Sequence, residues 1–372
     1  MNCNSNNLKK YLSASIVFYL FLSAQLYGQG RTEYLFLKGN IGSAPISMHL
    51  YKIANRYSGY YYIEKSHRPI EFYGMDSTAT GKIKMFADYK GKKEIFTLDR
   101  IDKKISGSWE QEGNAKVLVV NLRLSNPPMK MNFIYHEDSV KLLDIPEHYP
   151  LCKVSASTMW PDPKLPGMDY LKDDIRQQLT GVDYYKEDIQ LLLKMLSDRF
   201  LKKYKIDYVN VSENELKASP NAFSMVNDKN LQVIYLTYRY ISFAYREYNY
   251  SGGAHGNVSY FFFTTDKESK KQLTLNSLFN RTALEDLLPL LEKYYMIEKG
   301  LKPGMSLKDA GLFENKISKN PSSCYVTDKG MGFIYNPYTI APYSSGMIHV
   351  FVPYVELTPL INKAFAKSMN WL

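Results

Sequence analysis

The chain has 372 residues, 45% of them hydrophobic and 23% charged, and this length suggests two domains. Its formal charge is +10, but the lysines and arginines are scattered rather than arranged in a stripe, which argues against a nucleic-acid-binding protein. This excess of positive charge would favour acidic surfaces or polymers as partners. The alternative is that the charged side chains only keep the surface solvated.

The N-terminus has the order of parts of a cleavable secretory signal peptide. Lys9 and Lys10 precede the apolar run 11–22, and small residues follow at Ala24 and Gly28. We expect cleavage after Gly28, which makes the first 28 residues the signal peptide; cleavage after Ala24 is the alternative. The run is shorter than the ~20 residues of a membrane-spanning helix. No cysteine follows it directly, so we expect a periplasmic or secreted protein without a lipid anchor or a membrane span.

Residues 31–125 contain short period-two runs of apolar residues, separated by glycine, asparagine and aspartate. The runs lie at 34–38, 46–50, 57–63, 83–89, 94–98 and 116–124. Such runs about ten residues apart are typical of an antiparallel meander, a sandwich or a small barrel. We therefore predict a β-rich first domain, a meander or barrel without helices.

Residues 126–182 are predicted to be a proline-rich linker or extension. The prolines of this stretch are Pro127, Pro128, Pro146, Pro150, Pro161, Pro163 and Pro166. Proline restricts its own backbone and that of the preceding residue, which favours extended chain. Only residues 133–143 keep enough alternation for a last strand or short hairpin.

Residues 183–372 mix helical and strand patterns. Asp183 is predicted to cap a helix that runs to about residue 203, and its apolar face is Ile189, Leu192, Leu193, Leu196 and Phe200. Thr282 and Glu285 form a capping box for a second helix that Gly300 closes. Short helices are expected from Ser306 and from Thr358.

The strands of this second domain are predicted at 231–248, 258–265, 332–335 and 347–352. The first of them reads as one long strand, because alternation continues over its whole length. Helices and strands do not alternate strictly, so an α+β fold is favoured over a parallel wound sheet.

The segment 248–257, with the sequence YNYSGGAHGN, crowds four small residues around one histidine and one asparagine. Glycines at this density permit positive φ and a close backbone approach. The loop can present backbone N–H groups and an imidazole to a ligand. It can equally be a tight connection in which His255 and Asn257 satisfy buried carbonyls.

Several motifs of the second domain resemble one known family. SGGAHGN at 251–257 is followed by YFFFTTD at 260–266 and LTLNSLF at 273–279. FIYNPYTIAPYSSG at 333–346 and VFVPYVEL at 350–357 form a tyrosine-rich ending. Together, over about residues 183–368, they resemble the RsiV-like domain family, which an anti-sigma factor shares with the non-catalytic part of the peptidoglycan deacetylase PdaC.

The resemblance implies a role at the cell envelope. The anti-sigma member binds lysozyme as a sensor, and the deacetylase acts on the wall through a separate domain. This chain has neither a membrane span nor a deacetylase domain, so neither activity is expected of it. The resemblance implies non-enzymatic binding, with a lysozyme-like protein or a peptidoglycan-derived glycan as the partner.

The candidate ligand-binding residues come from the glycine-rich loop and the tyrosine-rich ending. They are Tyr250, Gly252, Gly253, His255, Asn257, Tyr338 and Tyr343. An uncharacterised hydrolase with its site near His255 and Asn257 is the first alternative, and a structural envelope component is the second.

The sequence lacks the common motifs of nucleophilic catalysis and metal binding. It has no GxSxG elbow, no HxxxH pair and no CxxC pair. We therefore expect no catalytic residues, no metal and no cofactor. An oxidising compartment permits a disulfide between Cys152 and Cys324; two unrelated buried thiols are the alternative.

Overall fold

The computed structural model describes residues 32–77, 80–143, 150–181, 186–280, 283–302, 304–318 and 320–369. The predicted signal peptide lies outside these ranges, as do His148, Asp183 and Thr282. None of the helices in the described ranges is both long and apolar enough to span a membrane.

The first domain is a closed eight-stranded antiparallel barrel. Its strands are β1 (Thr32–Ile41), β2 (Ala44–Ile53), β3 (Arg56–Ile63), β4 (Ile70–Asp76), β5 (Ile83–Tyr89), β6 (Lys92–Ile101), β7 (Lys104–Gln111) and β8 (Leu118–Leu124). Each strand pairs with the next along the chain, and β1 also pairs with β8, which closes the barrel. The predicted β-rich domain is therefore confirmed, with β4 and β7 as additional strands.

The barrel interior is filled by side chains. Alternate residues of every strand point inward, as period-two runs require. They include Leu37, Met48, Phe72, Phe96 and Val120, all essentially buried. The barrel is thus a packed core and not a ligand container.

A six-stranded sheet follows, in the order β14-β13-β12-β11-β10-β9. Its strands are β9 (Met131–Lys141), β10 (Leu151–Pro161), β11 (Met225–Leu236), β12 (Tyr240–Ser251), β13 (Asn257–Asp266) and β14 (Lys271–Gln272). The pair β10–β11 is parallel, and the other neighbours are antiparallel.

Two predictions for this region were wrong. The segment 126–182 is not an extended linker, because it supplies β9, β10 and the helix α1 (Asp169–Thr180). Its prolines bound these elements: Pro150 precedes β10, and Pro161 ends it. The predicted long strand 231–248 is two strands, with a turn at 237–239 between them.

Helices cover one face of the six-stranded sheet. These are α1 and α2 (Ile189–Asp207), which lie over β9 and β10 and whose buried leucines and isoleucines share one core with residues of β11 and β12. The predicted apolar face of α2 is confirmed, but the cap is Asp188, whose side chain accepts from the N–H of Gln190 at 2.9 Å. A short helix α3 (Glu213–Ala218) lies between α2 and β11.

The C-terminal region adds a three-stranded antiparallel sheet of β15 (Ser323–Val326), β16 (Gly330–Tyr335) and β17 (Ile348–Pro353). Its helices are α4 (Leu275–Leu278), α5 (Ala283–Lys299), α6 (Tyr354–Leu357) and α7 (Lys363–Ser368). Residues 307–311 form turns instead of the helix predicted from Ser306. The last helix begins after Asn362, which caps it, and not at Thr358.

The barrel packs on the other face of the six-stranded sheet. Tyr60 and Tyr62, on the outside of β3, join a buried cluster with Ile234, Phe262 and Tyr325. This cluster connects the barrel, the large sheet and the small sheet, so the described chain forms an α+β architecture around shared cores.

The structure contains no Cys152–Cys324 disulfide. Both thiols are free and buried. Cys152 packs with Leu201 and Tyr204, whereas Cys324 lies in the core around α5. Burial raises the pKa of both thiols to about 12, which keeps them protonated and unreactive.

Candidate functional site

The glycine-rich loop connects β12 to β13 at one end of the large sheet. Gly252 and Gly253 have φ values of +80° and +95°, which side chains rarely adopt. A Cβ on Gly252 would also lie 2.4 Å from the carbonyl oxygen of Ala222. The Tyr250 hydroxyl braces the turn, donating to the carbonyl of Gly253 at 3.1 Å. The glycines therefore set the path of the loop.

His255 is exposed and has a fixed orientation. Its Nδ1 donates to the carbonyl oxygen of Gly256 at 3.0 Å. Its ring stacks on Tyr343, with centroids 4.6 Å apart and planes inclined by 19°. Tyr343 in turn donates its hydroxyl to the same Gly256 carbonyl at 2.6 Å. One backbone oxygen thus organises both rings.

Tyr338 extends this surface. Its ring centroid lies 5.5 Å from that of Tyr343, and the side chain is 56% exposed. Its φ of +67° is unusual for a tyrosine and marks a strained backbone position. His255, Tyr338 and Tyr343, which we call the aromatic patch, come from two segments, the glycine-rich loop and the tyrosine-rich ending.

Most of the predicted ligand-binding residues therefore come together. Asn257 is exposed at the start of β13, opposite Asn249, and stays at the edge of the patch. Tyr250 and the two glycines shape the loop beneath. The prediction missed Asn336, whose amide bonds to both the N–H and the C=O of Tyr260, at 2.7 and 3.1 Å. Asn336 ties the tyrosine-rich segment to β13, and its place before Pro337 in a turn was the available signal.

The hydrogen bonding of His255 differs from that of the histidine in a Ser-His-Asp triad. Its hydrogen bond goes to a backbone carbonyl rather than to a carboxylate that would orient it. Within the residues that the structure describes, no three His, Cys, Asp or Glu side chains cluster to hold a metal ion. The patch offers flat rings, a second imidazole nitrogen and a tyrosine hydroxyl, which suit binding.

Two family models match parts of the chain. Residues 276–355 match DUF3298, a protein family of unknown function, and residues 163–258 match the model for deacetylase PdaC. The matches support a DUF3298/PdaC-type domain and do not single out the RsiV family. The second match begins within the segment that sequence patterns indicated as linker. No match was found among curated proteins.

Two solved structures are similar. A DUF3298 family member from Bacteroides fragilis is 20% identical, with a TM-score of 0.57, over 65% of this chain and 98% of that one. A DUF3298 family protein from Pseudomonas aeruginosa is 17% identical, with a TM-score of 0.42, over 63% of this chain and 95% of that one. The first likeness supports the fold.

Proposed function

We propose that this chain is an exported, non-enzymatic binding protein of the cell envelope, and that the aromatic patch contacts the glycan of the cell wall. The observation that carries the proposal is the exposed stack of His255 on Tyr343, with Tyr338 beside it. Aromatic rings with polar edges suit the apolar faces and hydroxyl groups of sugars. Export rests on the N-terminal sequence, and the PdaC-like match agrees with an envelope setting.

The patch is also organised before any ligand arrives. Two hydrogen bonds to the Gly256 carbonyl hold the rings of His255 and Tyr343. Binding therefore has little side-chain entropy to remove, which favours affinity from a small contact area.

A glycan fits the patch better than a lysozyme-like protein does. A cationic protein would be recognised by carboxylates, whereas the three patch residues contact one another and backbone carbonyls. The formal charge of +10 falls to +8 once Lys9 and Lys10 are removed with the predicted signal peptide, and this positive charge opposes approach of a basic partner.

Sedimentation of the mature protein with purified, insoluble peptidoglycan tests the proposal. We expect binding that His255→Ala and Tyr338→Ala each weaken by about 2- to 10-fold, the loss of one aromatic contact. Tyr238→Ala is the matched control, because Tyr238 is 87% exposed in the turn at the opposite end of β12.

Three outcomes would contradict the proposal. Absence of sedimentation would exclude the wall as the ligand. Equal losses in the control variant would exclude the patch as the contact. Release of soluble wall fragments that His255→Ala abolishes, with the melting temperature unchanged, would favour the hydrolase alternative. A parallel titration with lysozyme tests the protein partner, and saturable binding there alone would replace the glycan.

A further inference from the structure

A second concave surface lies where the barrel meets the large sheet. The outer faces of β3, β4 and β5 form one wall, and the face of the sheet that α1 and α2 leave uncovered forms the floor. We call this surface the barrel–sheet groove. Its volume of about 590 Å³ lies within the range typical of small-molecule sites.

The floor carries one continuous row of side chains across five strands. In the strand register Tyr135 lies opposite Ser157, Ser157 beside Asn230, Asn230 opposite Arg246, and Arg246 opposite Tyr260. All five line the groove. Four strand spacings of ~4.8 Å make the row about 19 Å long. Tyrosines at both ends thus bracket three hydrogen-bonding groups in a line.

Hydrogen bonds between neighbours fix the floor. Asn230 donates its amide to the hydroxyl of Ser157 at 2.8 Å. Asp228 accepts from Ser155 at 2.6 Å and from Arg246 at 2.8 Å. Each polar group is therefore held in place by another, which is the usual mark of a pre-formed polar site.

The barrel wall supplies aromatic surface. Tyr73 is 66% exposed, and its ring centroid lies 6.0 Å from that of Phe86 on the next strand. Exposed aromatic rings facing a row of amide, hydroxyl and guanidinium groups match a ligand with apolar faces and hydroxyl edges. A sugar chain has this chemistry.

The charges of the groove balance. Arg56 and Arg246 are matched by Glu71 and Asp228. Glu71 lines the groove, where desolvation raises the pKa of its carboxyl and the cation of Arg246 lowers it. A polyanion would require a surplus of arginine and lysine, so the balance favours a neutral ligand.

The groove leads towards the aromatic patch. Tyr260, at the end of the row, bonds through its backbone to Asn336, which stands two residues before Tyr338 of the patch. Asn336 binds both backbone groups of Tyr260 and holds the two surfaces together.

We propose that the barrel–sheet groove is an extended binding site for a neutral linear oligosaccharide, continuous with the aromatic patch. This inference rests on the proposed function. It adds a site at which longer oligosaccharides make more contacts and therefore bind more tightly. The patch alone contacts a chain end or a single short segment, whereas the row of five residues contacts successive units.

Calorimetric titration with N-acetylglucosamine oligomers, from the disaccharide to the hexasaccharide, tests the inference. We expect the affinity of the intact mature protein to rise with length beyond the disaccharide. Asn230→Ala and Tyr73→Ala should each weaken hexasaccharide binding by about tenfold and leave the disaccharide nearly unchanged. Tyr73 is exposed, so its variant keeps the test valid even where Asn230→Ala fails to fold.

The outcomes separate the two proposals. If no oligomer and no peptidoglycan binds, the proposed function itself fails. If the disaccharide binds through the patch but length and both groove variants have no effect, the groove inference is overturned and the proposed function stands. If poly(glutamic acid) binds more tightly than the hexasaccharide and Tyr73→Ala abolishes this, the neutral ligand class is wrong.

Discussion

The hydroxyl of Tyr51 replaces a strand partner. β10 pairs with β11 only as far as Leu231, and the backbone of Val233 lies beyond this point. The N–H of Val233 donates to the Tyr51 hydroxyl at 2.9 Å, and that hydroxyl donates to the carbonyl of Val233 at 3.0 Å. All of these atoms are buried, so a barrel side chain completes the hydrogen bonding of the sheet.

Tyr51→Phe is expected to lower the free energy of unfolding by about 1–3 kcal/mol, because two buried backbone groups lose their partner. Urea unfolding measures the change. Tyr73→Phe is the control, since its hydroxyl sits on an exposed side chain, and should stay within about 0.5 kcal/mol of the parent. Equal stability of Tyr51→Phe and the parent would show that the Tyr51 hydroxyl does not stabilise the contact between the barrel and the large sheet.

At this scale the sequence reveals the patch but not the groove. The string SGGAHGN and the clustered tyrosines single out His255, Tyr338 and Tyr343, because small residues next to functional groups form a local pattern. The floor of the groove takes single residues from separate strands, among them Ser157, Asn230 and Arg246. Each belongs to an ordinary alternating strand, and only the register brings them into line.

Closure of the barrel depends on a strand position that tolerates no side chain. Gly39 in β1 lies between β2 and β8, paired with Ile46 and with Leu122. A Cβ there would be 1.9 Å from the carbonyl oxygen of Asn121. Glycine within a strand often marks such a close backbone approach.

Gly39→Ala should therefore destabilise the barrel by at least about 1–3 kcal/mol, the range for inserting a methyl group without room. Thermal unfolding followed by circular dichroism would measure it. Asn40→Ala, on the exposed neighbouring residue, should stay within about 0.5 kcal/mol of the parent. If both variants have the same melting temperature, β8 can move away from β1 without loss of stability, and the close approach at Gly39 is not required for closure of the barrel.

Elements with regular alternation were predictable, and those bounded by proline were not. The runs at 34–38, 57–63 and 83–89 all lie within barrel strands. In α1, Leu171, Ile175 and Leu179 are buried at a helical spacing of four, a signal hidden by the prolines before it. Proline density gives the position of boundaries, and it does not distinguish a linker from short segments between packed elements.

The barrel and the C-terminal region are joined by a largely buried ion pair. Arg68, between β3 and β4, bonds to Glu298 of α5, and their side chains are 11% and 9% exposed. Burial raises the pKa of Glu298 and the cation of Arg68 lowers it. The hydroxyl of Tyr235 also bonds to Nδ1 of His67 nearby, at 2.7 Å. Polar contacts thus hold the barrel in one position relative to the large sheet and the C-terminal region.

Arg68→Ala should lower the free energy of unfolding by about 3–5 kcal/mol near neutral pH, because it leaves a buried carboxylate unpaired. The loss should shrink as the pH falls towards the ordinary glutamate range, where protonated Glu298 needs no cation. Urea unfolding at several pH values measures both effects.

Two variants serve as controls for this ion pair. Arg68→Met combined with Glu298→Leu removes both charges and should recover most of the loss. Arg100→Ala breaks the half-exposed pair with Glu33 and should cost at most about 1 kcal/mol. A pH-independent loss for Arg68→Ala, or no recovery in the double variant, would mean that packing and not charge joins the units.

The position of the barrel strands in the sequence determines which part of the structure is synthesised first. Its strands occupy one unbroken stretch, residues 32–124, whereas the large sheet draws β10 from residues 151–161 and its parallel neighbour β11 from 225–236. A chain made from its N-terminus has therefore synthesised all eight barrel strands before β11 exists. Both the closure of the barrel, which pairs Leu37 with Leu124, and the parallel pairing of Cys152 with Met225 join strands that are far apart in the sequence. The barrel wall of the groove is thus complete in the growing chain before the strands β11, β12 and β13 of the groove floor have been made.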